Sequence, residues 1–218
     1  MVDLYIMNIS GLPDPAEHRE IMDGLWEERK QKILRYQRAE NRRQSLGAGR
    51  LLQHALQRRG LEAAELRYGP NGKPEAAGMH FNLSHSDEWV ACAVSDQPVG
   101  CDLEKIGPVH EGIAKRFFTE NEVRYLECFD GQAKLDEFFR LWTMKESYMK
   151  MTGEGLSLGL NHCEFVLEDP VQVYRDGQRC DCWVREYALP GYKLTVCAQE
   201  QDFAAAVRQI SVEEVWKG

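Results

Sequence analysis

Two blocks of helical sequence, each followed by a run of short β-like stretches, restrict the fold more than any other feature of these 218 residues. Residues 1–10 read as a first strand, and 14–60 as helices introduced by Pro13 and Pro15. A turn-rich stretch, "LRYGPNGKPE", then leads to strands at 79–84, 88–95 and 98–104. Pro108 opens a helical region that runs to about 151. Four more β-like stretches follow at 163–167, 171–175, 181–188 and 192–198, with Gly177 and "LPGY" supplying turns. Strands gathered after helices, instead of alternating with them one by one, predict an α+β fold. The expected division is an N-terminal α+β half, 1–105, and a C-terminal α+β half, 106–218.

Within that frame the stretch "VGCDLEK", 99–105, is unusual. Alternate residues of a strand share a face, so Asp102 and Glu104 lie side by side while Cys101 and Leu103 point the other way. Neighbouring like charges repel, and burying the pair is costly without a compensating group. A third carboxylate comes from the last helix before the second run of strands, "KLDEFFRLWTMKESYMK". Leu135, Phe138, Phe139, Trp142 and Met149 form its apolar stripe. Glu146 falls about 40° from Trp142 around the axis, inside the stripe, with Lys150 one turn on. An i,i+4 Glu–Lys pair would account for these two in solvent, but not among Trp, Phe and Met.

Asp102, Glu104 and Glu146 are hard oxygen donors of the kind that suit Mg²⁺, whose other positions go to water and phosphate. Zinc is disfavoured because no His/Cys ligand cluster accompanies them. Candidate phosphate-binding groups are Lys73 in "NGKPE" and Ser84 with His85 in "FNLSHSDEW". The segment 29–50 carries eight Lys/Arg against one Glu in a chain of net charge −8. It suits an anionic ligand or, equally, a solvated helix face. Acidic overall balance and the lack of a recognition motif argue against nucleic acid. No run approaches the roughly 18 apolar residues of a membrane helix, and the N-terminus lacks the pattern of a signal peptide. Seven cysteines show no CxxC spacing, which fits a reduced, cytoplasmic protein. Cys180-x-Cys182 reads better as alternation on a strand than as a metal site.

The motifs "NGKP", "FNLSHSDEWVACAV", "VGCDLEK", "RFFTENE" and "LWTMKESYMKMTGEGLSL" resemble, in sequence and order, those of the Sfp-type 4′-phosphopantetheinyl transferases. The resemblance implies two similar halves related by a pseudo-twofold, each a small antiparallel sheet packed on helices, in a monomer binding coenzyme A in the cleft between them. It implies transfer of the phosphopantetheine arm of coenzyme A to a serine of an apo acyl or peptidyl carrier protein, with release of 3′,5′-ADP. Asp102, Glu104 and Glu146 match the family's metal ligands, for Mg²⁺ or Mn²⁺. Lys73, Ser84, His85, Asp102 and Lys150 match coenzyme A or pyrophosphate contacts, and Arg29, Lys32 and Ser45 match nucleotide-phosphate contacts. Glu146, Lys150 and Glu122 take the catalytic roles. Glu122 matches an acidic residue near the metal, yet Thr119-Glu120-Asn121-Glu122 also fits a helix capping box. Asp87 stands where glycine is frequent in the family. Leu156, Leu158 and Leu160 suit either an apolar rim for the carrier or the core of the second half. The same carboxylates would also serve another Mg²⁺-dependent nucleotide phosphatase or transferase, or a non-catalytic protein binding coenzyme A or carriers. Which of fatty-acid, polyketide or nonribosomal peptide synthesis is served stays open.

Overall fold

In the computed structural model all residues are described except 63–65, 69–73, 111, 155–158 and 217–218. The first strand, β1 (Asp3–Asn8), is buried along nearly its whole length. Its apolar run LYIM fits a strand with neighbours on both sides and both faces covered. Two helices follow, α1 (Glu27–Arg35) and α2 (Ala39–Arg58). The turn-rich stretch forms a short hairpin, β2 (Arg67–Tyr68) with β3 (Pro74–Glu75). Next come β4 (His80–Ser86), β5 (Trp89–Ser95) and β6 (Val99–Lys105), within one or two residues of expectation. The helical region resolves into α3 (Ile113–Phe117), α4 (Glu120–Leu126) and the long α5 (Gly131–Thr152). It is followed by β7 (Cys163–Val166), β8 (Gln172–Arg175), β9 (Gln178–Arg179), β10 (Trp183–Leu189) and β11 (Tyr192–Ala198). The chain ends in β12 (Arg208–Gln209) and α6 (Val212–Trp216), neither of which the sequence pattern announced.

The larger sheets run β12-β1-β5-β4 and β10-β11-β6, and β7-β8-β9 forms a smaller one. The fold is α+β, with antiparallel sheets packed on helices. α2 lays Leu46, Leu51, Leu52 and Leu56 over one face of the first sheet. The opposite face packs Leu4, Ile6, Ala91 and Ala93 against Cys101, Leu103, Leu194 and Val196 of the second sheet. α5 covers the second sheet's outer face, so the layers run helix, sheet, sheet, helix. β6 hydrogen-bonds to β11 and not to β5, its neighbour in sequence. β12 returns to pair in parallel with β1. A division at 105/106 therefore separates β6 from its hydrogen-bond partner, and the chain crosses between the sheets twice.

The outer face of β6 meets α5 so closely that a side chain would not fit at one position. A Cβ on Gly100 would stand 2.0 Å from the Ser147 carbonyl oxygen and 2.4 Å from the Met151 amide nitrogen. Both are backbone atoms, which cannot swing aside. Thr143 and Thr195 close the same contact with a hydroxyl–hydroxyl bond of 2.8 Å. α5 is thus buried on two sides. Small polar residues meet the sheet, while Phe138, Leu141, Met144 and Tyr148 enter the second core.

Candidate active site

Flush packing of α5 on β6 brings the three carboxylates to one place. Cys101 and Leu103 point into the layer between the sheets, as alternation requires, so Asp102 and Glu104 face α5. Lys150, from the last turns of α5, donates to Asp102 Oδ1 at 2.6 Å, to Ser84 Oγ at 3.1 Å and to the Cys101 carbonyl at 3.2 Å. Burial works against its ammonium, but Asp102, Cys101 and Glu146 more than offset this and hold the charge. The helical Glu146–Lys150 pair does not form: Lys150 reaches across to the strand. Glu146 makes no hydrogen bond or ion pair among the described residues.

Burial, then the charge of Asp102, pushes the Glu104 carboxyl up to about 7, while a hydrogen bond from Ser86 and the Lys150 cation pull the other way. Glu146 is raised for the same reasons, burial first and Asp102 second. The charge of Asp102 thus adds to burial in raising the proton affinity of Glu104 and Glu146 beside a single ammonium. Asp102 Oδ2 is fully buried and has no hydrogen-bond partner among the described residues. An ionised oxygen in that state is costly unless another positive group meets it.

Cations gather on the neighbouring edge of the first sheet. His85 follows Ser84 on β4 with part of its surface open to solvent, and lies within electrostatic reach of Lys150, Arg29 and Lys32. Surrounding protein and then those three charges hold its imidazole neutral to below the usual range. Lys32 is lowered as well, by burial and by Arg29. Arg29 also acts as a strut between α1 and α2. It is buried, its Nε and Nη2 donate to the Ser45 carbonyl at 3.0 and 2.7 Å, and Gly49 leaves it room, since a Cβ there would stand 2.9 Å from Nε. Ser45 is buried, and its own hydroxyl has no partner among the described residues. Lys73 lies outside the described residues.

Comparison with known proteins decides the family. The sequence pattern of the 4′-phosphopantetheinyl transferase superfamily matches residues 98–197. The chain is 34% identical over 214 residues to 4′-phosphopantetheinyl transferase Sfp of Bacillus subtilis, covering 91% of this chain and 93% of that one. The chain belongs to this family. Another 4′-phosphopantetheinyl transferase of Bacillus subtilis is 36% identical over 92% of this chain and 93% of its own. The gsp transferase of Aneurinibacillus migulanus is 31% identical over 91% of this chain and 86% of its own.

Several sequence expectations for the transferase need correction. Glu122 takes the capping role and is turned away from the other carboxylates. One oxygen accepts from the Thr119 amide at 2.8 Å and pairs with Lys145 at 2.7 Å, and the other accepts from the Phe165 amide at 3.0 Å. These bonds make Glu122 a helix cap and the partner of Lys145. Its partner Lys145, unremarked in the sequence beyond its place in the motif, is wholly buried in the second core. Its ammonium donates to the Leu160 carbonyl at 2.9 Å and to that of Cys163. The Ser84 hydroxyl is likewise spent: it donates to Asp102 Oδ1 at 3.0 Å and accepts from the Leu103 amide and Lys150. A hydroxyl has one proton and two lone pairs, so no position is left for phosphate.

Smaller corrections follow from packing. Leu160 enters the second core and cannot form a rim, while Leu156 and Leu158 lie outside the described residues. Cys180 and Cys182 sit in the link between β9 and β10, not on a strand, and among the described residues no cluster of three His, Cys, Asp or Glu is poised to hold a metal. Asp87 does adopt the left-handed conformation that glycine favours, at φ 50°. Its carboxylate meets Lys105 at 2.5 Å and Tyr192 at 3.2 Å.

The transferase nevertheless fits a hard divalent cation. The donor set is all oxygen, the orphaned Asp102 Oδ2 is buried, and Glu104 and Glu146 are short of positive charge. Because Lys150 already holds Asp102 Oδ1, the carboxylates do not form a closed cage as they stand.

Proposed function

We propose that this transferase moves the 4′-phosphopantetheine arm of coenzyme A to a serine hydroxyl of an apo acyl or peptidyl carrier protein. The reading is carried by one juxtaposition: a carboxylate triad with an orphaned buried oxygen, beside a lysine and a cationic strand edge. In the reaction the serine oxygen attacks the phosphorus that bears the pantetheine arm. The bond to the bridging pyrophosphate oxygen breaks, and 3′,5′-ADP leaves.

Asp102, Glu104 and Glu146 would hold Mg²⁺ or Mn²⁺, which when bound neutralises charge on the pyrophosphate oxygens. His85, Lys32 and the Ser45 hydroxyl suit the phosphates of the nucleotide. An anion arriving there would meet the charge that His85 lacks when free. Lys150 is placed to offset charge on the leaving 3′,5′-ADP. Glu146, whose proton affinity is raised by burial and by Asp102, is placed either to ligate the cation or to take the serine proton. Binding the nucleotide and the arm against the layered sheets supplies the positioning that the chemical step requires.

All seven cysteines are free, and no described helix is long and apolar enough to cross a membrane. The test is incubation with coenzyme A, Mg²⁺ and a panel of apo carrier proteins, followed by intact mass. Addition of the arm to a carrier supports the reading. Release of phosphate with no carrier modified would replace it with a nucleotide phosphatase.

A further inference from the structure

β4 ends the first sheet and β6 ends the second, so two strand edges with unpaired backbone groups face each other. Such edges usually pair through the main chain or are covered. Here side chains replace one of the two backbones. The Cys101 amide donates to Asn82 Oδ1 at 3.1 Å, the Leu103 amide to Ser84 Oγ at 3.1 Å, and the Lys105 amide to Ser86 Oγ at 3.0 Å. Every second residue of β4 thus meets every second amide of β6, at a constant offset of nineteen residues.

The substitution of hydroxyl for carbonyl changes what the seam can do. A backbone carbonyl only accepts, whereas a serine hydroxyl accepts from the amide and still has a proton to give. Ser84 gives its proton to Asp102 Oδ1 at 3.0 Å, and Ser86 gives its own to Glu104 Oε2 at 3.1 Å. The third rung, Asn82, stands opposite Cys101 and has no carboxylate to orient. Ser86 belongs to the Ser84-His85-Ser86 run at the strand end, but no specific role for it follows from the sequence. Its hydroxyl is nonetheless the one hydrogen-bond donor to Glu104 among the described residues.

We infer that Ser86 is a positioning residue: its hydroxyl ties the Glu104 carboxylate to the edge of the first sheet and holds it toward Asp102 and Glu146 for cation binding. The strand that presents His85 to the nucleotide is thereby the strand that aims the metal-binding carboxylates. The inference rests on the transferase reading given above, and Ser84, which also touches Lys150, is a less clean probe of it.

The experiment is calorimetric titration of the protein with Mn²⁺ alone, beside a metal-free thermal melt, for the wild type, Ser86→Ala, Ser86→Thr and Asn82→Ala. Loss of an outer hydrogen bond to a ligating carboxylate typically weakens metal affinity about 10–100-fold. Ser86→Ala should therefore bind Mn²⁺ at least about tenfold more weakly, and Ser86→Thr, which keeps the hydroxyl, should stay close to wild type. Asn82→Ala should lower the melting temperature and leave Mn²⁺ affinity alone, because its rung is purely structural. Unchanged affinity in Ser86→Ala overturns the inference, as does an equal loss in Asn82→Ala, which would make strand register the cause. A wild type that binds no Mn²⁺ would instead bring down the metal reading itself, and this inference with it.

Discussion

α5 carries two lysines, five residues apart, that each bind a buried carboxylate, and the two pairs differ in what they leave unfilled. In the Lys145–Glu122 pair both side chains are sealed, at 0% and 2% exposure. Both carboxylate oxygens and the ammonium are met by backbone groups or by the other ion. In the Lys150–Asp102 pair the exposures are 28% and 4%, one carboxylate oxygen has no partner, and two further carboxylates stand by. The same two chemical groups thus make a closed pair in one place and an open pair in another. A buried pair whose hydrogen bonds are complete holds elements together, and one left incomplete is available to a ligand.

The largest expected effect is on the closed pair. Lys145→Ala leaves Glu122 charged in the second core, and Glu122→Ala strands the ammonium. Either should cost about 3–5 kcal/mol, the penalty for an uncompensated buried charge. In a chain of this size that lowers the melting temperature by about 6–20 °C. Asp102→Asn, by contrast, frees a lysine that can turn toward water, and should cost under about 2 kcal/mol while abolishing most turnover. Thermal melts of the three variants check this. Equal losses at both pairs would dissolve the distinction.

Next in size is Glu146→Gln. The variant keeps the shape and removes the charge that binds a cation or accepts a proton. A fall of at least about a hundredfold in kcat is expected, the scale of one electrostatic or general-base contribution. Metal-free stability should hold level or rise, because the carboxylate that is removed has no partner and burial disfavours it. Steady-state kinetics beside a metal-free melt reads both. Near-normal kcat would take Glu146 out of the chemistry.

Much of this could be read from residue order alone. Alternation placed Asp102 and Glu104 on one face because a strand has period two whatever it packs against, and the strands and long helices followed from equally local patterns. What could not be read depends on pairing between distant segments. The partner of β6 is β11 and not β5, and β12 returns to β1 over some two hundred residues; neither leaves a local mark. Helical spacing allowed a Glu146–Lys150 pair and the apolar stripe argued against it, but neither showed that Lys150 would reach β6, a distance set by Gly100, whose missing side chain lets α5 lie flush. Lys145 was overlooked because a lysine in an apolar stripe reads as an exception, and its partners Glu122, Leu160 and Cys163 come from distant parts of the chain. Glu122 admitted two readings in the sequence, and the fold chose by placing the Phe165 amide and Lys145 beside it.

A smaller effect should appear on the cationic side of the open pair. His85 is held below its ordinary value of 6.5, first by surrounding protein and then by Lys150, Arg29 and Lys32. A lowered pKa in the folded state means the unfolded chain binds the proton first. His85 therefore favours folding fully above about pH 6.5, and that contribution falls away as pH drops toward the lowered value. An anion in the site should reverse the shift. Proton NMR of the His85 ring should show titration below 6.5 in the free protein and a move upward on adding 3′,5′-ADP. Titration at or above 6.5 in the free protein, or no response to the nucleotide, would separate His85 from the phosphate site.

The smallest effect belongs to a third ion pair, which calibrates the other two. Asp87 and Lys105 meet at 2.5 Å, but their side chains are 36% and 56% exposed. Lys105 immediately follows Glu104, so this pair belongs to the same strand as the open pair and differs chiefly in its access to water. Exposed pairs contribute about 0–1 kcal/mol, since solvent screens them and two side chains must be held in place. Asp87 also occupies the left-handed region, at φ 50°, where a residue with a Cβ is mildly strained and glycine is not. Asp87→Gly therefore loses a weak pair and a contact to Tyr192 while relieving strain of comparable size. The net change should lie within about 1 kcal/mol, a shift of a few degrees at most in the melt, with kcat unaltered. If that variant lost as much stability as Lys145→Ala, burial would not be what separates the three pairs, and completeness of hydrogen bonding would have to be sought as the cause on its own.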